Sequence, residues 1–89
     1  MSETNNVPEH VDIELSRPVL VAGVQTKTVR MREPKVLDQK VAQKQARGDE
    51  AEAELLLFAS LCELDPQTLN TMPMRDYIKL KEAFVVFLS

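Results

Sequence analysis

The sequence predicts an α+β domain: an N-terminal β-hairpin followed by three to four α-helices packed on it. Hydropathy alternates with period two over Val11, Ile13 and Leu15, and β-branched residues recur up to Val29. After Pro34 apolar residues recur at helical spacing, and Gly23, Gly48, Pro66 and Pro73 stand where one element should hand over to the next. At 89 residues the chain makes one domain. A domain of this size buries only about 60–65% of the surface its unfolded chain exposes, which leaves a homo-oligomer as an open option.

Residues 1–9 are polar, contain Pro8, and read as a flexible leader to a single domain over residues 10–89. The first strand starts at His10. Pro18 cannot donate to a ladder, so it marks a bulge, an edge or the strand's end. Gly23 supplies the turn, and Val24 to Met31 form the second strand. A lone hairpin is barely stable in water, so its apolar side must lie against the helices.

The first helix is expected at about residues 34–46, with Pro34 in its first turn and a narrow apolar strip of Leu37, Val41, Ala42 and Ala46. Gly48 ends it, and Asp49 with Glu52 reads as a capping box for a second helix over about 50–63. That helix is apolar over most of its circumference, so it is either the central core helix or partly an intersubunit surface. Asp65 and Pro66 open a short helical turn. Pro73 starts a last helix ending in the apolar run AFVVFL, in which Lys81 interrupts the apolar arc.

Composition argues against an enzyme. The single histidine, His10, has no ligand partner nearby, and Cys62 is the only cysteine, so neither a metal site nor an intrachain disulfide is expected. Two glycines cannot build a phosphate loop, and no serine has the setting of a nucleophile elbow. No cofactor is implied. The start MSETNNVPEH has neither a basic cluster nor an apolar run, and no apolar stretch reaches the roughly 20 residues of a membrane span, so a cytoplasmic protein without membrane contact is expected.

Charge is distributed in blocks. Residues 1–16 carry four acids and no Lys or Arg, residues 17–47 eight bases against two acids, and residues 48–89 eight acids against three bases. Such a layout suits docking on a charged partner or between like subunits, and equally plain solvated faces. Nucleic acid is disfavoured as a partner, because the chain is acidic overall at −3 and its basic stretch holds no aromatic to stack on bases.

The ordered run VDIELSRPVLVAGVQTKTVRMREPKVLDQKVA resembles the opening of the tail assembly chaperone family of Mu-like and related contractile-tailed phages. The resemblance rests on Leu15, Pro18, Gly23, Arg32, Glu33, Pro34 and Asp38. It continues through the acidic start and Leu-rich body of DEAEAELLLFASLCEL, then Pro66 and Leu69, the Asp76–Tyr77 pair, and Phe87 with Leu88, covering about residues 10–89.

The resemblance implies a protein of the bacterial host cytoplasm that binds the phage tape-measure protein during tail morphogenesis and is absent from the mature virion. It also implies a longer form made by ribosomal frameshifting as a further partner. Excess apolar surface on the second and last helices suggests a groove lined by Leu56, Leu57, Leu61, Phe84 and Phe87 that would cover amphipathic tape-measure helices. Ordinary core packing is the competing reading of each of these five residues. A small nucleic-acid-binding protein or a structural tail protein of a phage or prophage is the alternative for the whole chain.

Overall fold

The computed structural model describes residues 7–88. Residues 1–6 of the expected leader lie outside the described residues; beyond them Val7 packs against the core, and the Glu9 carbonyl accepts the Glu33 N–H at 2.9 Å.

Strands β1 (His10–Val21) and β2 (Val24–Arg32) pair antiparallel around the Ala22–Gly23 turn. Both turn residues have positive φ, 52° and 80°, the backbone that matches the twist of the two strands. The alternation read from the sequence decides which face is covered. Ile13, Leu15, Val29 and Met31 are buried under the helices, while Asp12, Glu14, Thr28 and Arg30 face outward.

Pro18 lies inside a bulge. The ladder runs from His10 paired with Arg32 to Glu14 paired with Thr28, then resumes only at Val19 paired with Thr26. Residues 15–18 of β1 therefore stand against Lys27 alone, and their backbone groups need partners outside the ladder.

Helix α1 (Val36–Ala46) starts later than the sequence suggests, with Pro34 outside its first turn. Asp38 fixes this start by accepting the Lys35 N–H at 2.8 Å, which makes Lys35 the cap residue. Arg47 and Gly48, with φ of 54° and 91°, turn the chain out of the helix. Asp49 caps α2 (Glu50–Cys62) by accepting the Glu52 N–H at 3.1 Å. The return half of the expected capping box is not made, because the Asp49 N–H donates to the Ala46 carbonyl at 3.1 Å.

Glu63 ends α2 with φ of 54°, and the Leu64 N–H reaches back to the Ala59 carbonyl at 2.9 Å. Asp65 caps the short α3 (Pro66–Asn70) through the Gln67 N–H at 2.8 Å, with Pro66 in the first turn as the sequence predicts. Helix α4 (Met74–Val86) follows Pro73.

Helix α2 is the central one, packed on α1, β2 and α3 and burying Ala53, Leu57, Phe58, Ala59, Leu61 and Cys62. The Phe58 ring meets Tyr77 and Phe84 of α4 at centroid distances of 5.6 and 5.4 Å, both tilted, and so joins α4 to the same core. Helix α1 splits the strip read from its sequence. Ala42 and Ala46 are buried, whereas Leu37 and Val41 remain 68% and 45% exposed. Two alanines let α1 approach α2 closely, and the larger Leu37 and Val41 beside them on the helix surface are left outside.

Candidate functional site

Two aspartates hold the hairpin to the helices. Asp76, in the first turn of α4, is fully buried and reaches into the β1 bulge. Its Oδ1 accepts the Ser16 N–H at 2.8 Å and its Oδ2 the Ser16 hydroxyl at 3.0 Å. Lys79, one turn further along α4, donates to the Glu14 carbonyl at 2.8 Å and lies 3.9 Å from Asp76. Burial pushes the Asp76 carboxyl up, but the Ser16 donors, the Arg17 N–H and the Lys79 charge outweigh it and hold the group below its ordinary value. Two backbone N–H groups freed by the bulge, those of Ser16 and Arg17, are thus satisfied from α4.

Asp38 ties β2 to α1. Its two oxygens accept from the Arg32 guanidinium at 2.8 and 2.9 Å, a bidentate pair, in addition to the Lys35 N–H. The Arg32 guanidinium holds the Asp38 carboxyl down, to about 2, against a burial penalty that the Lys35 N–H helps to offset.

Two further groups are fixed by burial. The Tyr77 hydroxyl donates to Glu54 at 3.0 Å, and burial followed by that carboxylate pushes the phenol well above its usual range. Burial pushes the Cys62 thiol up to about 12, which makes it a packed, inert group. Among the described residues no cluster of His, Cys, Asp or Glu could hold a metal ion, and no helix is long and apolar enough to cross a membrane.

Several of the residues that carry the likeness to a known family are spent on internal contacts. Leu15 is core, Pro18 lies in the bulge, Gly23 in the turn, Arg32 pairs with Asp38, and Asp76 holds Ser16. A sequence model described as phage tail assembly chaperone proteins, E, or 41 or 14, matches residues 12–89, nearly the whole chain. The chain belongs to the phage tail assembly chaperones. No curated protein and no solved structure matches it.

A chaperone acts through surface it leaves uncovered. The open groove between α1 and α2, with a volume of about 440 Å³, is walled by Leu37 and Val41 on one side and by Leu56, Ala59, Leu64 and Pro66 on the other. Lys44 lies seven residues after Leu37 on the same side of α1 and is exposed.

The five residues singled out in the sequence do not share one groove. Leu57, Leu61 and Phe87 are buried in the chain's own core. Leu56 is half-buried at the α1–α2 groove, and Phe84, also half-buried, borders a separate depression beside Leu57 and Leu88. Helix α2 turns its leucines in several directions because it is covered on several sides.

The sequence groups Leu37 and Val41 with Ala42 and Ala46 in one narrow apolar strip, and the structure places the two larger residues at the groove. The signal that separates them from the core was the pair of alanines, Ala42 and Ala46, at positions where a close helix–helix contact needs small side chains.

Proposed function

We propose that this chaperone binds an amphipathic helix of the tape-measure protein during tail assembly and seats the apolar stripe of that helix in the α1–α2 groove. The observation that carries the reading is the exposure of Leu37 and Val41 above that groove, beside the half-buried Leu56 and Leu64. A helix that fits presents apolar residues at i, i+3, i+4 and i+7, with acidic residues on the flank that meets Lys40 and Lys44. Covering on the order of 300 Å² of apolar surface yields about 7 kcal/mol before the cost of association, so a single contact is weak. Many copies along one long helix make the coverage durable.

The basic stretch supports a nucleic-acid reading less well than its composition suggests. Arg30 is paired with Asp12 and Arg32 with Asp38, which leaves fewer free cations for phosphates. A role confined to the host cytoplasm during assembly, without catalysis, follows from the same proposal.

The test is co-expression of the full chain with helical fragments of the tape-measure protein, followed by affinity measurement. Leu37→Asp and Val41→Asp should each weaken binding at least tenfold while circular dichroism and melting temperature stay near those of the parent, since both side chains already face water. Unchanged binding in both variants refutes the groove. Recovery of the polypeptide from purified tails by mass spectrometry refutes a chaperone role in favour of a structural tail component.

A further inference from the structure

The outer face of α4 carries a second apolar strip that the core does not use. Met74, Ile78, Val85 and Leu88 are 44 to 65% exposed. Together with Lys81 they succeed one another at intervals of four, three, four and three residues. That is the seam spacing of a helix that packs along another helix. The strip continues past the last residue of α4, because the Leu88 N–H bonds to the Val85 carbonyl at 3.0 Å and keeps the winding. Over these 14 steps it runs for about 21 Å.

The geometry points to a second copy of this chain as the occupant, its α4 antiparallel to the first, with Met74 opposite Val85 of the second copy and Ile78 opposite Lys81 of the second copy. The lysine at the middle of the seam decides the orientation. A parallel pair in register sets two Lys81 ammonium groups face to face in the apolar contact, where like charges repel. The antiparallel pair offsets them along the axis and lays each lysine stem over an isoleucine. Glu54 of the same chain, 3.8 Å from the Lys81 ammonium, already draws that head to the edge of the seam. Antiparallel helices also set their macrodipoles against each other favourably.

Two such faces with their flanks cover on the order of 1,000 Å², the lower edge of specific interfaces, so the pair comes apart on dilution. None of the seam residues lines the α1–α2 groove, and pairing leaves that groove open.

The test uses the full chain in sedimentation equilibrium across a wide concentration range. The weight-average mass should rise from 10.1 kDa towards twice that value. Val85→Asp should weaken pairing at least tenfold with an unchanged circular dichroism spectrum, and Lys81→Leu should strengthen it. A mass fixed at the monomer for both the parent and Lys81→Leu overturns the proposal, as does growth past the dimer without limit.

Orientation is read by oxidative cross-linking, in which the buried Cys62 stays silent. A mixture of Met74→Cys and Val85→Cys chains should link, and Met74→Cys alone should not. Efficient linking of Met74→Cys with itself means a parallel pair and overturns the assignment. Leu37→Asp serves as the control: it should leave pairing untouched, so the seam and the groove fail or succeed separately.

Discussion

The two aspartates that join hairpin to helices do the same mechanical job under opposite conditions. Asp76 is fully buried, and its short contacts, at 2.8 and 3.0 Å, are to the uncharged donors of Ser16. Asp38 keeps part of its side chain in water and grips a guanidinium through two bonds. For a carboxylate that has lost its water, nearly all stabilisation comes from directed bonds, and the groups it serves would be orphaned without it. For the partly solvated one, water stands ready to replace the partner, and the attraction is screened. Burial, more than formal charge pairing, should therefore set how much each contact is worth.

The largest effect is expected from Asp76→Ala. It leaves the Ser16 and Arg17 N–H groups in the bulge without an acceptor and opens a cavity beneath β1. Together these should cost about 3 kcal/mol, and in a domain of this size that lowers the melting temperature by more than about ten degrees. Thermal and urea unfolding check it. A loss smaller than that of Asp38→Ala breaks the comparison at its root.

Acid should sharpen it. Both carboxyls lie below their ordinary value of 3.8 in the folded protein, Asp38 at about 2. A depressed folded value means the stabilisation is fully present above the unfolded value, near pH 4, and drains away as pH falls towards 2. Urea midpoints measured from pH 5 to pH 2 should fall steeply below pH 4 in the parent and less steeply in either alanine variant. High salt should reduce the contribution of Asp38 more than that of Asp76, because only the former depends chiefly on an ion pair that water reaches in part.

Asp38→Ala comes next, with an expected loss of about 1.5 kcal/mol from one bidentate pair and one helix cap. Arg32→Lys, with Asp38 in place, should lose much of the same stability, since a point ammonium cannot engage both oxygens in one plane. Full stability in Arg32→Lys would show that charge alone suffices there.

How these contacts were legible in the sequence follows from their range. The hairpin, the turn at Gly23 and the Asp49 and Asp65 caps are set by residues within a few positions of each other, and period and turn chemistry reveal them. Asp76 was visible only as one residue of a familiar Asp-Tyr pair, because its partner Ser16 lies 60 positions away and the bulge that needs it is created by Pro18. That Leu37 and Val41 would stand exposed beside a groove was not legible for a related reason. Helical periodicity shows that α1 has an apolar side, but the choice between Leu37 with Val41 and Ala42 with Ala46 as the buried pair depends on how closely α2 approaches. The same limit applied to Leu56, Leu57 and Leu61 of α2 and to Phe84 and Phe87 at the end of the chain, which looked equivalent until neighbours covered Leu57, Leu61 and Phe87.

The smallest effect is expected where the geometry is nearly as good and the burial absent. Asp12 and Arg30 face each other across the outer side of the hairpin at 2.8 Å, the same separation as Asp38 and Arg32, yet each side chain is more than half exposed. The Arg30 hydrogen bond still lowers the Asp12 carboxyl, so the two do interact. Water competes for both ends, and the long arginine loses rotamer freedom in making the contact. Asp12→Ala should consequently leave the urea midpoint within measurement error while removing one rung of the outer face. A loss equal to that of Asp38→Ala would mean that the distance between charges sets the worth of these ties, and the ranking of the buried Asp76 above them would need another cause than its separation from water.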